Sequence, residues 1–207
     1  MKLCMMTNTI MKNSTTSNYR DNLPDHIHIF SVEDHDYWKP KILESIDLTK
    51  KTNNIELNGD GYYYDFDFNQ INKIEKAYGS LVENIMYPYY VDLGEMYGLK
   101  WINSRKSGEL YWFQQYFQGT KHGWHQHSGH WAFVYFIELP EPDEATEFLN
   151  YGTLKVKEGD ILCFPTFLVH RAPEIKSNLR KTIIASNQSF EVDREFIGND
   201  PKRFRNR

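Results

Sequence analysis

Ile71, Ile74, Tyr78, Leu81 and Ile85 recur at intervals of three and four residues, the spacing of one buried face of an α-helix. Asp67 or Asn69 would cap that helix. Pro88 interrupts the pattern, and a second helical piece from Tyr89 to Tyr97 would stop at Gly98. An earlier helix is expected from a cap at Asp36 to about Lys50, with Ile42, Leu43 and Ile46 turned inward. Ahead of it, His26-Ile-His28-Ile-Phe30 alternates polar and apolar positions, as a short strand does. From Trp101 onward helical spacing disappears. Short runs of β-branched and aromatic residues replace it, separated by turn residues. Leu110–Phe117, Trp131–Leu139, Thr146–Leu149, Thr153–Lys157, Asp160–Phe164, Leu168–Ala172 and Lys181–Phe190 are the expected strands.

Helices first and sheet afterwards predict a mostly β fold with flanking α. The helical part, residues 25–100, would pack outside a β-sandwich or barrel made by residues 101–192. Residues 1–24, rich in Asn, Ser, Thr and Lys without periodicity, read as a flexible leader. Residues 25–200 read as one domain, and 193–207 as a polar, basic, solvated tail.

Composition narrows the function classes. Hydrophobic residues make up 40% of the 207 and aromatic residues 15%, enough for a ring-rich core and too much for a disordered chain. A net charge of −4 supplies no field toward nucleic acid or an anionic membrane. No apolar run approaches the ~20 residues that span a bilayer, and the first ten residues lack the features of a signal peptide. The two cysteines, Cys4 and Cys163, fall in unlike contexts, so no disulfide is expected and a reducing compartment, the cytoplasm, fits best. A homodimer is compatible with the sequence, which encodes neither the oligomeric state nor the primary substrate.

The chemistry-bearing residues are histidines. His125-Gln-His127 has a spacing that, on a strand, sets both imidazoles on one face, ~6–7 Å apart along the chain. Two such rings can converge on one metal ion, since imidazole suits iron, zinc and copper. His170, after the run Gly159-Asp-Ile-Leu-Cys-Phe-Pro165, is the natural third ligand. His130 would point to the opposite face of a strand from His125 and His127, toward the surroundings of the ion or the substrate.

Gly123-Trp-His125-Gln-His127, the aromatic strand from Trp131 to Phe136, the frame from Gly159 to His170 and Arg180-Lys-Thr-Ile-Ile-Ala-Ser-Asn187 together resemble the 2-oxoglutarate/Fe(II)-dependent oxygenases, particularly a subgroup from marine phage and bacterial genomes. The resemblance covers about residues 100–190. It implies a double-stranded β-helix, the jelly-roll or cupin-like fold, with Fe(II) and 2-oxoglutarate as cofactor and co-substrate. It also implies O2 consumption and hydroxylation of a C–H bond, with the oxo acid decarboxylated to succinate and CO2. Carried over by residue, His125 and His170 match iron ligands, and Arg180 matches the basic residue that holds the far carboxylate of 2-oxoglutarate. An arginine fork suits that task. Tyr116 and Asn187 are expected to point inward and meet the co-substrate. Trp124, Trp131, Phe133 and Tyr135 are expected to form a wall that excludes water.

His127 departs from the pattern, standing where the usual triad has a carboxylate. Three neutral imidazoles would leave Fe(II) its full charge, which the oxo acid dianion can neutralise. His130 and, more distantly, Glu138 are substitutes for that second ligand. Two other readings share the sequence. One is a cupin-type three-histidine metal enzyme with no oxo acid; Gly119 ahead of His125-x-His127 fits the first cupin motif, but Trp131 and Ala132 stand where its glutamate is expected, and Phe167 replaces a glycine of the second. Arg180 pointing away from the metal would favour that reading. The other is a non-catalytic metal- or ligand-binding domain.

Overall fold

The computed structural model describes residues 24–66, 76–102 and 111–192. In chain order the elements are β1 (His28–Ser31), α1 (His35–Asn53), β2 (Tyr63–Tyr64), α2 (Gly79–Tyr97), β3 (Leu99–Ile102), β4 (Tyr111–Tyr116), β5 (His122–His125) and β6 (Trp131–Glu138). A 3-10 turn (Pro142–Glu144) leads to β7 (Glu147–Phe148), β8 (Gly152–Thr153), β9 (Asp160–Pro165), β10 (His170–Ala172) and β11 (Lys181–Val192). No helix among the described residues is long and apolar enough to cross a membrane.

Two antiparallel sheets carry the site. The larger runs β1-β9-β6-β11-β4-β2, with β3 paired to the far end of β11, and the smaller runs β5-β10-β7-β8. Alternation along the strands sorts side chains between two cores. Phe133, Tyr135 and Ile137 of β6, with Phe113 of β4 and Ile184 of β11, face the helices. Ile42 and Ile46 of α1 and Val82, Met86, Tyr90 and Leu93 of α2 meet them there. Ala132, Val134 and Phe136 face the other way and pack with Phe148, Phe164 and Ala172 between the sheets. Helices outside, sheets face to face within, is the expected plan.

Three local expectations change. α1 begins at His35, so Asp36 lies in its first turn rather than at its cap. α2 runs unbroken through Pro88. Pro88 removes the hydrogen bond to the Asn84 carbonyl, but both residues are on the exposed side, where water can satisfy that oxygen. Gly98 does end the helix, in the left-handed conformation at φ 63°. The water-excluding wall is also placed differently, because Trp131, Phe133 and Tyr135 belong to the core under the helices. The proposed leader, the cap at Asp67 or Asn69, Ile71, Ile74 and the basic tail lie outside the described residues.

Candidate metal centre

β5 and β10 bring the histidines together. His170 pairs in register with His125, and a bulge follows before Ala172 meets His122. His127 lies just beyond β5, on a loop tied to the end of β9. Its amide donates to the Thr166 carbonyl at 3.0 Å, and the Thr166 amide returns a bond to the His130 carbonyl at 3.1 Å. The Thr166 hydroxyl donates to the Gly129 carbonyl at 2.7 Å. The loop is therefore held at three points, and His127 is aimed by these ties rather than by strand alternation.

Ligand atoms of His125, His127 and His170 lie within 4.8 Å of one another. The Nε2 atoms of His127 and His170 are 3.2 Å apart. His125 Nδ1 donates to the Gly123 carbonyl at 2.7 Å, and His170 Nδ1 donates to the Leu168 carbonyl at 2.8 Å. A carbonyl only accepts, so each Nδ1 carries the proton and each Nε2 keeps its lone pair for an ion. Burial, reinforced by the neighbouring rings, lowers the pKa of His127 to about 3. Burial likewise takes His170 to about 4. Both imidazoles are neutral near pH 7, the form that ligates. Three converging, neutral nitrogen donors in a partly buried cavity fit a divalent transition metal ion.

The centre opens on a cavity of about 590 Å³ between the two sheets. Its far end holds Lys181, only 1% exposed, with Nζ donating to the Glu144 carbonyl and lying 5.3 Å from the centre of the Tyr116 ring. Burial lowers the Lys181 pKa to about 7. Tyr116 and Asn187 are both among the residues that line the cavity.

Arg180 does not. Its Nε and Nη2 donate to the two carboxylate oxygens of Glu138 at 2.7 and 3.0 Å, and it is absent from the cavity wall. Adjacent residues on a strand take opposite faces, so the side that turns Lys181 inward turns Arg180 outward. Glu138, bonded to Arg180 and Thr182, is likewise away from the histidines. His130 Nδ1 accepts from the Phe190 amide at 2.9 Å, so it braces β11 rather than joining the cluster. Trp124 lies 41% exposed beneath Arg171, and the aromatic rings that line the cavity beside the histidines are Tyr64, Phe66, Trp112 and Tyr116.

Two residues escaped the sequence reading. Lys181 was legible in principle, since Lys181, Ile183, Ala185 and Asn187 share one face of a strand. His122 had no such signal. It reaches the cavity through the bulge in β5, its Nδ1 2.5 Å from the Tyr62 hydroxyl and its ring 4.3 Å from that of His125.

No protein-family model matches the sequence, and no curated protein matches it either. Solved structures match its shape. A non-haem alpha-ketoglutarate-dependent carbocyclase from nogalamycin biosynthesis aligns with a TM-score of 0.58 at 9% identity, over 78% of this chain and 79% of that one. A 2OG-Fe(II) oxygenase family oxidoreductase from Burkholderia pseudomallei gives 0.56 at 9%, over 79% and 84%. A Pseudomonas putida prolyl-4-hydroxylase gives 0.50 at 11%, over 80% and 94%. The fold is that of the 2-oxoglutarate/Fe(II) oxygenases, a double-stranded β-helix with two helices on its outer face.

Proposed function

We propose that this chain is an Fe(II)- and 2-oxoglutarate-dependent oxygenase that hydroxylates a C–H bond. One observation carries the reading: three neutral imidazoles converge at one end of a cavity whose other end is closed by a buried lysine. His125, His127 and His170 would hold the iron. When bound, iron supplies O2 activation coupled to decarboxylation of the oxo acid, so that substrate, O2 and 2-oxoglutarate give hydroxylated product, succinate and CO2.

The chain's own residues do the positioning. The Lys181 ammonium pairs with the far carboxylate of 2-oxoglutarate, the role expected of Arg180. Its pKa near 7 in the free protein rises when that anion arrives, because an opposite charge favours the ammonium. The Tyr116 ring, in register with Lys181, supports that end of the cavity. Val134 and Ile183 line it with apolar surface and exclude water from the carboxylate–ammonium pair. The Tyr62 hydroxyl holds His122 against His125, which fixes the ring plane of one ligand from the side.

The test is 2-oxoglutarate affinity of zinc-substituted protein, with succinate formation by the iron form as the second readout. Lys181→Met is expected to weaken binding about 30-fold or more, the cost of breaking a buried charge pair. Arg180→Met changes it less than about threefold. Loss in Arg180→Met but not in Lys181→Met contradicts the assignment. The turn of Arg180 toward Glu138 favours the cupin-type alternative. A chain that binds Fe(II) in equal stoichiometry but takes up no 2-oxoglutarate decides for it.

A further inference from the structure

β11 lays one row of side chains along a wall of the cavity. Lys181, Ile183, Ala185, Asn187 and Ser189 alternate onto that face, and all five line it. The histidines sit over the middle of the row. His127 rests on Trp112, the cross-strand partner of Ala185. His170 rests on Phe164, which is in register with Ala132 and, through it, with Asn187. Lys181 therefore lies to one side of the imidazoles. The stretch from Asn187 to Ser189 begins at their level and continues to the other side.

The two sides differ in chemistry. The first ends in a cation. On the second, no carboxylate is found among the described residues of the wall. Its other cation, Arg171, lies 4.4 Å over the Trp124 ring and donates to Glu147 at 2.7 Å. What this side presents is the carboxamide of Asn187 and the polar Gln126 and Ser128, and the rings of Phe66 and Trp112, whose centres are 5.0 Å apart, border it at the level of the imidazoles. Asn187 Oδ1 is buried and has no hydrogen-bond partner. Folded proteins leave few such atoms unpaired, and one beside an open cavity marks a place for a ligand's donor. The histidine loop passes close by, since a Cβ on Gly129 would stand 3.6 Å from that of Asn187. An asparagine offers an acceptor and a donor side by side, and its complement is a group that carries both.

We propose that Asn187 anchors the primary substrate, and that this substrate presents an uncharged amide edge, an N–H beside a C=O, next to the carbon that is oxidised. Phe66 and Trp112 pack against the plane of that amide. A cationic substrate finds no counter-charge on this side, and an anionic one finds, among the described residues of the wall, its only cation without a carboxylate partner at the co-substrate end. The proposal rests on the oxygenase reading for the role of the cavity and adds to it the class of substrate.

The experiment titrates the full zinc-loaded chain with benzamide, N,N-dimethylbenzamide, benzoate and benzylamine, reading binding by ligand-observed NMR with 2-oxoglutarate present and absent. Benzamide is expected to bind about tenfold more tightly than the other three, the value of one satisfied hydrogen bond. Asn187→Ala erases the ratio of benzamide to its dimethyl form. Asn187→Asp, nearly isosteric, turns the preference to benzylamine. These ratios distinguish recognition from lost folding, which lowers all four affinities together. Equal affinity of the wild-type chain for the four compounds, or a preference unchanged in both variants, overturns the proposal. Failure of the underlying reading looks different: the wild-type chain then takes up no 2-oxoglutarate, whatever its order of preference among the four.

Discussion

Each of two imidazoles in the centre has its Nδ1–H bonded to a backbone carbonyl, which leaves Nε2 unprotonated and turned to the other rings, so ring orientation is set before any ion arrives. Removing any one ring should therefore cost affinity without unfolding the chain. His125→Ala, His127→Ala and His170→Ala are each expected to weaken Fe(II) binding by about 100-fold or more, measured by anaerobic calorimetry, with the far-UV spectrum retained. His127→Asp places a carboxylate where the usual triad has one and should keep stoichiometric iron binding. The convergence of the three histidines was legible because candidate ligands show in residue type and spacing. The placement of Arg180 beside Glu138 was not legible, because a one-residue step along a strand reverses the face, and spacing from His170 does not say which of Arg180 and Lys181 looks inward. His122 was not legible at all, since a bulge brings it to the site.

At the scale of elements, the walls of the site depend on how α2 and the segment around β2 are tied to the large sheet. Gly94 of α2 approaches β3 so closely that a Cβ there would stand 2.6 Å from the Leu99 carbonyl oxygen. Gly94→Ala is expected to lower stability by about 1–3 kcal/mol in urea unfolding, although alanine is the better helix former. Asp65, between the wall residues Tyr64 and Phe66, is fully enclosed. It accepts from the Tyr78 hydroxyl at 2.5 Å and the Phe113 amide at 2.9 Å, and it lies 3.3 Å from Lys76. Asp65→Ala leaves three donors without their acceptor and should cost about 3–5 kcal/mol in the same measurement. Ile85 was legible from helical spacing and is buried, whereas Tyr78, also buried, stands at the cap of α2 rather than inside the helix that spacing predicts. β2, β3 and β5 were not legible, because they lack the alternation that marks the equally short β1 and take their place from the strands they pair with.

Over the whole molecule, the order of helices followed by short strands was enough to anticipate a sheet core with helices outside, because each face of a sheet must bury its apolar side somewhere. The division of β6 between two cores was not anticipated. Its eight residues alternate between the helices and the inter-sheet space, yet all but Glu138 are apolar, so nothing in their composition marks the two faces. The same burial gives the molecule a pH signature. Lys181 is neutral in the folded chain above about pH 7 but charged in the unfolded chain until about 10.5. Between those values the unfolded state binds the extra proton, so stability rises with pH. Above about 10 the trend reverses as tyrosines such as Tyr64, Tyr89 and Tyr135, whose burial opposes ionisation, pull the other way. Melting temperatures between about pH 7 and 9.5 should climb in the metal-free wild-type chain and stay nearly level in Lys181→Met, whose neighbours Tyr116 and the Glu144 carbonyl remain unchanged. The most direct measurement is X-ray absorption at the iron edge of the Fe(II)-loaded chain. Three histidine nitrogens at about 2.1 Å, falling to two in His170→Ala, are the expected result. An iron surrounded only by water and carboxylate oxygens, or a spectrum the same in the variant, contradicts the account.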